Sequence, residues 1–225
     1  MIKIKNISKS YGGIQILDDI SMEIRSGGTT AIWGPSGCGK TTLFNILSGL
    51  EKNYKGSIEN LPGKISYCFQ EDRLLMHESV AGNIRFVRKT HDEELLAELL
   101  SIFRLDELKS RKVRHLSGGQ KQRTAIARAL YFDGDLLLLD EPFRSLDLEL
   151  KLKILSDIIR FQKKHELTII LVTHDAQEAY LLADTIFTLN EKPCSIRERH
   201  EIRTDKSLRT PFDIRISEIF RDYYL

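Results

Sequence analysis

The chain is short of cysteine, of net charge and of long apolar runs, and each shortage excludes something. Its three cysteines, Cys38, Cys68 and Cys194, are scattered. Their spacing fits neither a disulfide framework nor a zinc site, so a reduced, cytoplasmic setting is expected. Lys and Arg number 34 against 32 Asp and Glu, a formal net charge of +2. That balance argues against nucleic-acid binding driven by bulk electrostatics. The one basic cluster, Arg111, Lys112, Arg114 and His115, is too short to change this and reads as a solvated loop. No apolar stretch approaches the roughly 18 residues that span a bilayer. The longest, residues 136–139 and 168–172, have the length of strands. Residues 1–5 alternate apolar and basic like a strand, unlike a signal peptide. Internal repeats and low-complexity segments are missing too.

What remains is a sequence of 225 residues with 41% apolar content, enough for one large domain or one domain with an inserted lobe. Strand-like runs fall at 2–7, 14–24, 29–33 and 64–69, and again at 136–139, 168–172 and 185–189. Helical periodicity marks 40–50, 92–104, 119–131, 148–164 and 176–183, and the region 79–131 reads as mostly helical. Strands alternating with helices predict a largely parallel α/β sheet. The helical stretch reads as a lobe inserted into it. A short helix is expected in 213–225.

Three local patterns carry chemistry. Gly34-Pro35-Ser36-Gly37-Cys38-Gly39-Lys40-Thr41 fits G-x-x-x-x-G-K-[ST], with a strand before it and a helix after it. A chance match in a chain of this length is about a one-in-a-hundred event at ordinary glycine frequency, and the strand and helix lower it further. The glycines let backbone N–H groups wrap phosphate oxygens, and the helix start adds partial positive charge. Lys40 is expected on the β- and γ-phosphates and the Thr41 hydroxyl on Mg²⁺, with Thr42 completing the phosphate site. Residues 136–141 form an apolar run ending in Asp140 and Glu141. This resembles a Walker B element, in which Asp140 holds the Mg²⁺ shell and Glu141 polarises the attacking water as general base.

The third pattern is Leu116-Ser117-Gly118-Gly119-Gln120. Ser with Gln three residues later is an ordinary capping box. A cap does not explain two glycines in the first turn, where each costs up to ~1 kcal/mol against alanine. Paired glycines at a helix start suit close approach to an anion. Since the chain already has one phosphate loop, the simplest expectation is contact with nucleotide bound to another subunit.

Together these motifs resemble the ATP-binding cassette (ABC) transporter ATPases over nearly the whole chain. The family's signature sequence matches residues 116–120, continued by Lys121-Gln122-Arg123. The resemblance implies further roles. Gln70 falls at the Q-loop glutamine, which senses Mg²⁺ and the water and links to the membrane subunit. Asp147, in Ser145-Leu146-Asp147, falls in the D-loop. His174 falls at the switch histidine on the γ-phosphate, and Tyr11 where an aromatic stacks on adenine. The implied fold is a P-loop NTPase (RecA-like) parallel-sheet core with an N-terminal antiparallel β portion and an inserted helical subdomain. The core is expected in 1–70 and 132–225, with the helical subdomain in 71–131. The implied cofactors are ATP and Mg²⁺. The implied partners are a second cassette in an ATP-bound homodimer, an integral membrane permease and an external solute-binding protein, at the cytoplasmic face of the membrane.

Within the family three features point to importers. The cassette is not fused to membrane spans. Phe143 follows Glu141-Pro142. The run Phe69-Gln70-Glu71-Asp72-Arg73-Leu74-Leu75 resembles the nitrate, sulfonate, taurine and thiamine-precursor importers. Met76-His77-Glu78-Ser79 departs from the Pro-Trp usual there, and Arg144 departs from a commonly small residue. The alternatives are a lipoprotein-release or cell-division cassette and, more remotely, a soluble cassette ATPase of translation or DNA repair.

Overall fold

The computed structural model describes residues 1–221. In chain order the elements are β1 (Ile2–Tyr11), β2 (Ile14–Ile24), β3 (Thr29–Trp33), α1 (Lys40–Leu47), β4 (Lys55–Glu59), β5 (Ile65–Cys68), α2 (Val80–Arg85), α3 (Glu93–Ile102) and α4 (Gly118–Tyr131). There follow β6 (Leu136–Asp140), α5 (Leu148–His165), β7 (Thr168–Thr173), α6 (Ala176–Leu182), β8 (Thr185–Leu189), β9 (Ile196–Glu201) and α7 (Ile214–Phe220).

The strands form two sheets. One is antiparallel, in the order β2-β1-β4. The other runs β5-β6-β7-β3-β8-β9 and is parallel except for the last pair. In β6 and β7 every residue is buried, as a parallel strand covered on both faces requires. Leu137, Leu139, Ile169 and Leu171 pack toward the helices α2 to α5. Leu136, Leu138, Ile170 and Val172 pack toward α1 and the antiparallel sheet. This is the mixed α/β, P-loop NTPase-like fold expected, antiparallel portion included.

The boundaries differ in places for physical reasons. β1 continues past residue 7, and Lys9, buried at its far end, is paired with Glu51 at 2.9 Å. α1 stops short of residue 50 because Gly49 turns left-handed (φ 74°) just past its end. Two of the edge strands, β4 and β9, escape the apolar pattern because they are mostly exposed and polar. The stretch 79–131 is less helical than expected. Its segments 76–81 and 109–114 are stitched by backbone hydrogen bonds, among them Val80 N to Arg111 O (3.0 Å) and Val113 N to Glu78 O (2.9 Å). The C-terminal helix is present as α7; the part of that expectation beyond residue 221 lies outside the described residues.

Candidate active site

Sheet order builds the site. With β5, β6, β7 and β3 side by side and parallel, the loops after their carboxyl ends stand in a row. Gln70 follows β5, Glu141 follows β6, His174 follows β7, and the glycine-rich loop follows β3. Residues separated by more than a hundred positions thus share the edge at which open α/β sheets bind ligands.

The loop 34–39 is shaped by its glycines. Gly37 (φ 77°) and Gly39 (φ 129°) hold left-handed backbone that a side chain would strain. Lys40 is 5% exposed, and its ammonium donates to the carbonyls of Gly34 and Pro35, both at 2.7 Å. The charge is therefore held over the loop itself. Ser36 is exposed, Pro35 and Thr42 partly so. Cys38 is buried, and a hydrogen bond from the Cys194 thiol, reinforced by the Lys40 charge, lowers its pKa to about 6 against the effect of burial.

Asp140 is buried at the end of β6. The Thr41 hydroxyl donates to its Oδ2 at 3.0 Å and the Tyr67 hydroxyl at 3.3 Å. Burial raises its pKa, and these two hydrogen bonds act in the opposite direction. Glu141 is next. Its backbone is left-handed (φ 47°), and its N–H donates to Val172 O at 2.9 Å. Non-glycine residues in that conformation store strain and gather at functional sites. Its carboxylate receives the Gln70 amide at 3.3 Å on one oxygen, and the other lies 3.2 Å from His174 Nδ1. Gln70, Glu141 and His174 thus form one constellation, with Glu141 largely sheltered (12% exposed) and His174 open (54%).

The chain behind His174 is tied down. Asp175 caps α6, accepting from the N–H groups of Gln177 (2.8 Å) and Glu178 (3.2 Å). Lys151 bridges Asp175 (2.7 Å) and Glu178 (2.9 Å). Burial pushes the Glu178 carboxyl up; at Asp175 burial also pushes upward, but Lys151 and the N–H groups of Gln177 and Glu178 together lower it.

The helix start at Ser117 is a different kind of place. Ser117 and Gln120 form the reciprocal capping box. Among the described residues no hydrogen bond of Ser117, Gly118, Gly119 or Gln120 reaches the glycine-rich loop. The two glycines differ. A Cβ on Gly119 would lie 3.1 Å from Ser145 O, whereas one on Gly118 would meet nothing within 4 Å. Gly119 has a packing reason within the chain; Gly118 has none. Asp147 caps α5 through Leu150 N at 3.0 Å. Tyr11 is half-exposed, donates to Glu51 at 2.9 Å and lies under Lys9.

Two residues of the site were not singled out from the sequence, Tyr67 on Asp140 and Trp33, whose indole N–H donates to His174 O at 3.0 Å, and Gln122 was named only as part of the signature's continuation, without a role of its own. Gln122 donates to Glu141 O (3.3 Å) and accepts from Ser145 N (3.0 Å), joining α4 to the catalytic edge. The signals were there: Trp33 is the one tryptophan and directly precedes the loop, and Tyr67 lies two residues after the start of β5.

The family model described as ABC transporter matches residues 17–144, over half of the chain. The chain is 36% identical over 208 residues to the aliphatic sulfonates import ATP-binding protein SsuB 2 of Pseudomonas syringae pv. tomato, covering 92% of this chain and 88% of that one. It is 36% identical over 200 residues to SsuB 1 of Pseudomonas savastanoi pv. phaseolicola, covering 88% and 84%. Among solved structures, the dimeric ABC transporter cassette MJ0796 superposes with a TM-score of 0.79 at 28% identity, covering 91% of this chain and all of that one. A post-hydrolysis dimer of the same cassette, bound to ADP and Pi, gives 0.79 at 27%.

Proposed function

The chain belongs to the ABC transporter ATP-binding family and is an ATPase of that kind, and on that premise we propose that it powers an importer for a small solute of the aliphatic sulfonate class. The observation that carries the enzymatic part is the Gln70–Glu141–His174 constellation beside Asp140, Thr41 and Lys40. The importer part is supported by the relatives' names and their coverage of most of this chain.

In this reading Lys40 and the N–H groups of residues 34–39 bind the ATP phosphates, and Tyr11 stacks on the adenine. Thr41 and Asp140 hold Mg²⁺, with Gln70 nearby. These residues fit the ion: a hydroxyl and a carboxylate oxygen 3.0 Å apart are the hard oxygen donors it takes. When bound, Mg²⁺ neutralises charge on the phosphate oxygens. Glu141 accepts the proton of the attacking water, oriented by Gln70 and His174 on its two oxygens. His174, open to solvent, contacts the γ-phosphate.

The second half of the site comes from another cassette. Ser117, Gly118, Gly119 and Gln120 of one copy meet the γ-phosphate bound by its partner, and Asp147 lies near the same seam. Two cassettes close head to tail around two ATP molecules. Closure shifts the attached permease from one access state to the other, and hydrolysis reopens it, so ATP is the ligand of a two-state equilibrium. The protein then works as a peripheral subunit on the cytoplasmic face of the membrane, with the permease and an external solute-binding protein as partners. Residues 71–131 form its helical subdomain and the remainder its nucleotide-binding core.

The test is capture from native membranes. A tagged Glu141→Gln chain is loaded with ATP, the membranes are solubilised gently and the co-purifying proteins are identified by mass spectrometry. A multi-span permease with a solute-binding protein is the expected result. A permease with a large extracytoplasmic domain would indicate mechanical transmission instead, and ribosomal or DNA factors without any membrane protein would contradict transport.

A further inference from the structure

We propose that the C-terminal segment 202–220 is a positioning element for His174, acting through Trp33 and α6. The inference rests on the reading of His174 as the γ-phosphate contact and adds a residue set remote from the nucleotide.

Trp33 is the pivot of this arrangement. A buried indole N–H needs an acceptor, and this one uses the backbone carbonyl of His174 at 3.0 Å. Trp33 is also the last residue of β3, directly before Gly34. One side chain therefore ties the histidine loop to the root of the phosphate loop. Its ring packs against Phe220, with ring centroids 4.8 Å apart. Phe220 is fully buried, in a small apolar cluster with Ala31, Ala176, Ala179 and Ile186.

Phe220 is there because α7 is docked. Seven residues are too few to hold a helix alone, so its position is set by tertiary ties, and they converge on α6. Tyr180 OH donates to Asp213 Oδ2 at 2.7 Å, and Gln177 Nε2 to Pro211 O at 3.0 Å. Arg209 donates to the carbonyls of Tyr180 (2.7 Å) and Ala183 (2.5 Å). Helix α6 is capped by Asp175, the residue after His174. The segment thus grips both supports of the histidine: the indole that holds its carbonyl and the helix that begins beside it. The ammonium of Lys40 and its two carbonyl partners lie within residues 34–40 and take no part in these ties. Loosening the segment should therefore reduce the chemical step and leave nucleotide binding intact.

The experiment measures steady-state ATPase activity and the affinity for a fluorescent ATP analogue in the wild type, Phe220→Ala and Phe220→Leu. Phe220→Ala is expected to lower kcat about tenfold with KM and analogue affinity within about twofold, because only the reacting geometry is disturbed. Phe220→Leu, which keeps apolar volume against the indole, is expected to restore kcat to within about twofold. In a His174→Ala background the Phe220→Ala change should add less than about twofold, since residues acting through one group are not additive. Trp33→Phe, which keeps a smaller aromatic ring and removes the donor, is expected to lower kcat at unchanged analogue affinity, and it carries the test should Phe220→Ala not fold. Folded Phe220→Ala with wild-type kcat, or full additivity with His174→Ala, would overturn the proposal. A wild type that binds and hydrolyses no ATP would remove the underlying reading as well, whereas an active wild type indifferent to both Phe220 and Trp33 would remove this inference alone.

Discussion

Two regions of this molecule carry glycine-rich helix starts, and they are finished to different degrees. Around the loop 34–39 the functional side chains find partners within the chain: Lys40 in two carbonyls, Thr41 and Tyr67 in Asp140, Gln70 and His174 in Glu141. At 117–120 the capping box satisfies the helix end, and one glycine is explained by Ser145 behind it. Gly118 is left facing open space. The first region has the chemistry of an active site; the second has a bare backbone with nothing of its own to approach. On the proposed function the second region is completed from outside the chain; the cassette with which this fold superposes is dimeric.

The comparison can be broken most directly at Glu141. Glu141→Gln should reduce turnover by roughly 10²–10⁴-fold, the usual worth of a general base, while ATP still binds and drives association. Steady-state hydrolysis and light scattering check the two halves; turnover near the wild-type rate would remove the base assignment. Next is the division of labour between regions. Lys40→Ala should weaken nucleotide binding to the isolated chain by roughly 10–100-fold, the loss of one or two charge-assisted hydrogen bonds. Ser117→Ala should leave that affinity within about twofold and weaken association instead. Equal losses of ATP affinity from both variants, measured by equilibrium binding, would erase the distinction.

A smaller effect concerns Asp140. Its pKa is raised by burial, so the folded state favours the protonated form, and stability is lost as the pH rises from the unfolded value up through the folded one. Asp140→Asn keeps an acceptor for Thr41 and Tyr67. It should therefore stabilise the nucleotide-free chain at neutral pH, with the gap closing as pH falls, while abolishing Mg²⁺-dependent hydrolysis. Thermal unfolding across pH checks this, and a gap that widens on acidification would contradict the sign. The smallest effect separates the two glycines. Gly118→Ala, with open space for its methyl, should raise stability by a few tenths of a kcal/mol. Gly119→Ala should lose that gain against Ser145 O, 3.1 Å away. Gly118→Ala should nonetheless impair association, which urea unfolding and light scattering can distinguish.

What could be read in the sequence follows from where the information lies. The phosphate loop and the Asp140-Glu141 pair were legible because their chemistry is contiguous, and the parallel core because buried strands such as β6 and β7 are unbroken apolar runs. Gln70 and His174 became legible through resemblance, since a lone Gln or His after a strand says little by itself. Trp33, Tyr67 and Gln122 were not legible. Each acts across 141, 73 and 19 positions respectively, through strand register and helix packing that no local pattern encodes. The strands β4 and β9 were missed because they are mostly exposed and polar, whereas the other edge strands β2 and β5 keep apolar residues.

The most direct measurement of the central claim, that each active site is shared between two copies, is the solution mass of Glu141→Gln by light scattering with ATP and Mg²⁺. The account predicts a dimer with ATP, a monomer without it, and a monomer that still binds ATP when Gly118→Val is added. A Glu141→Gln chain that binds ATP and stays monomeric, or a dimer indifferent to Gly118→Val, would contradict it.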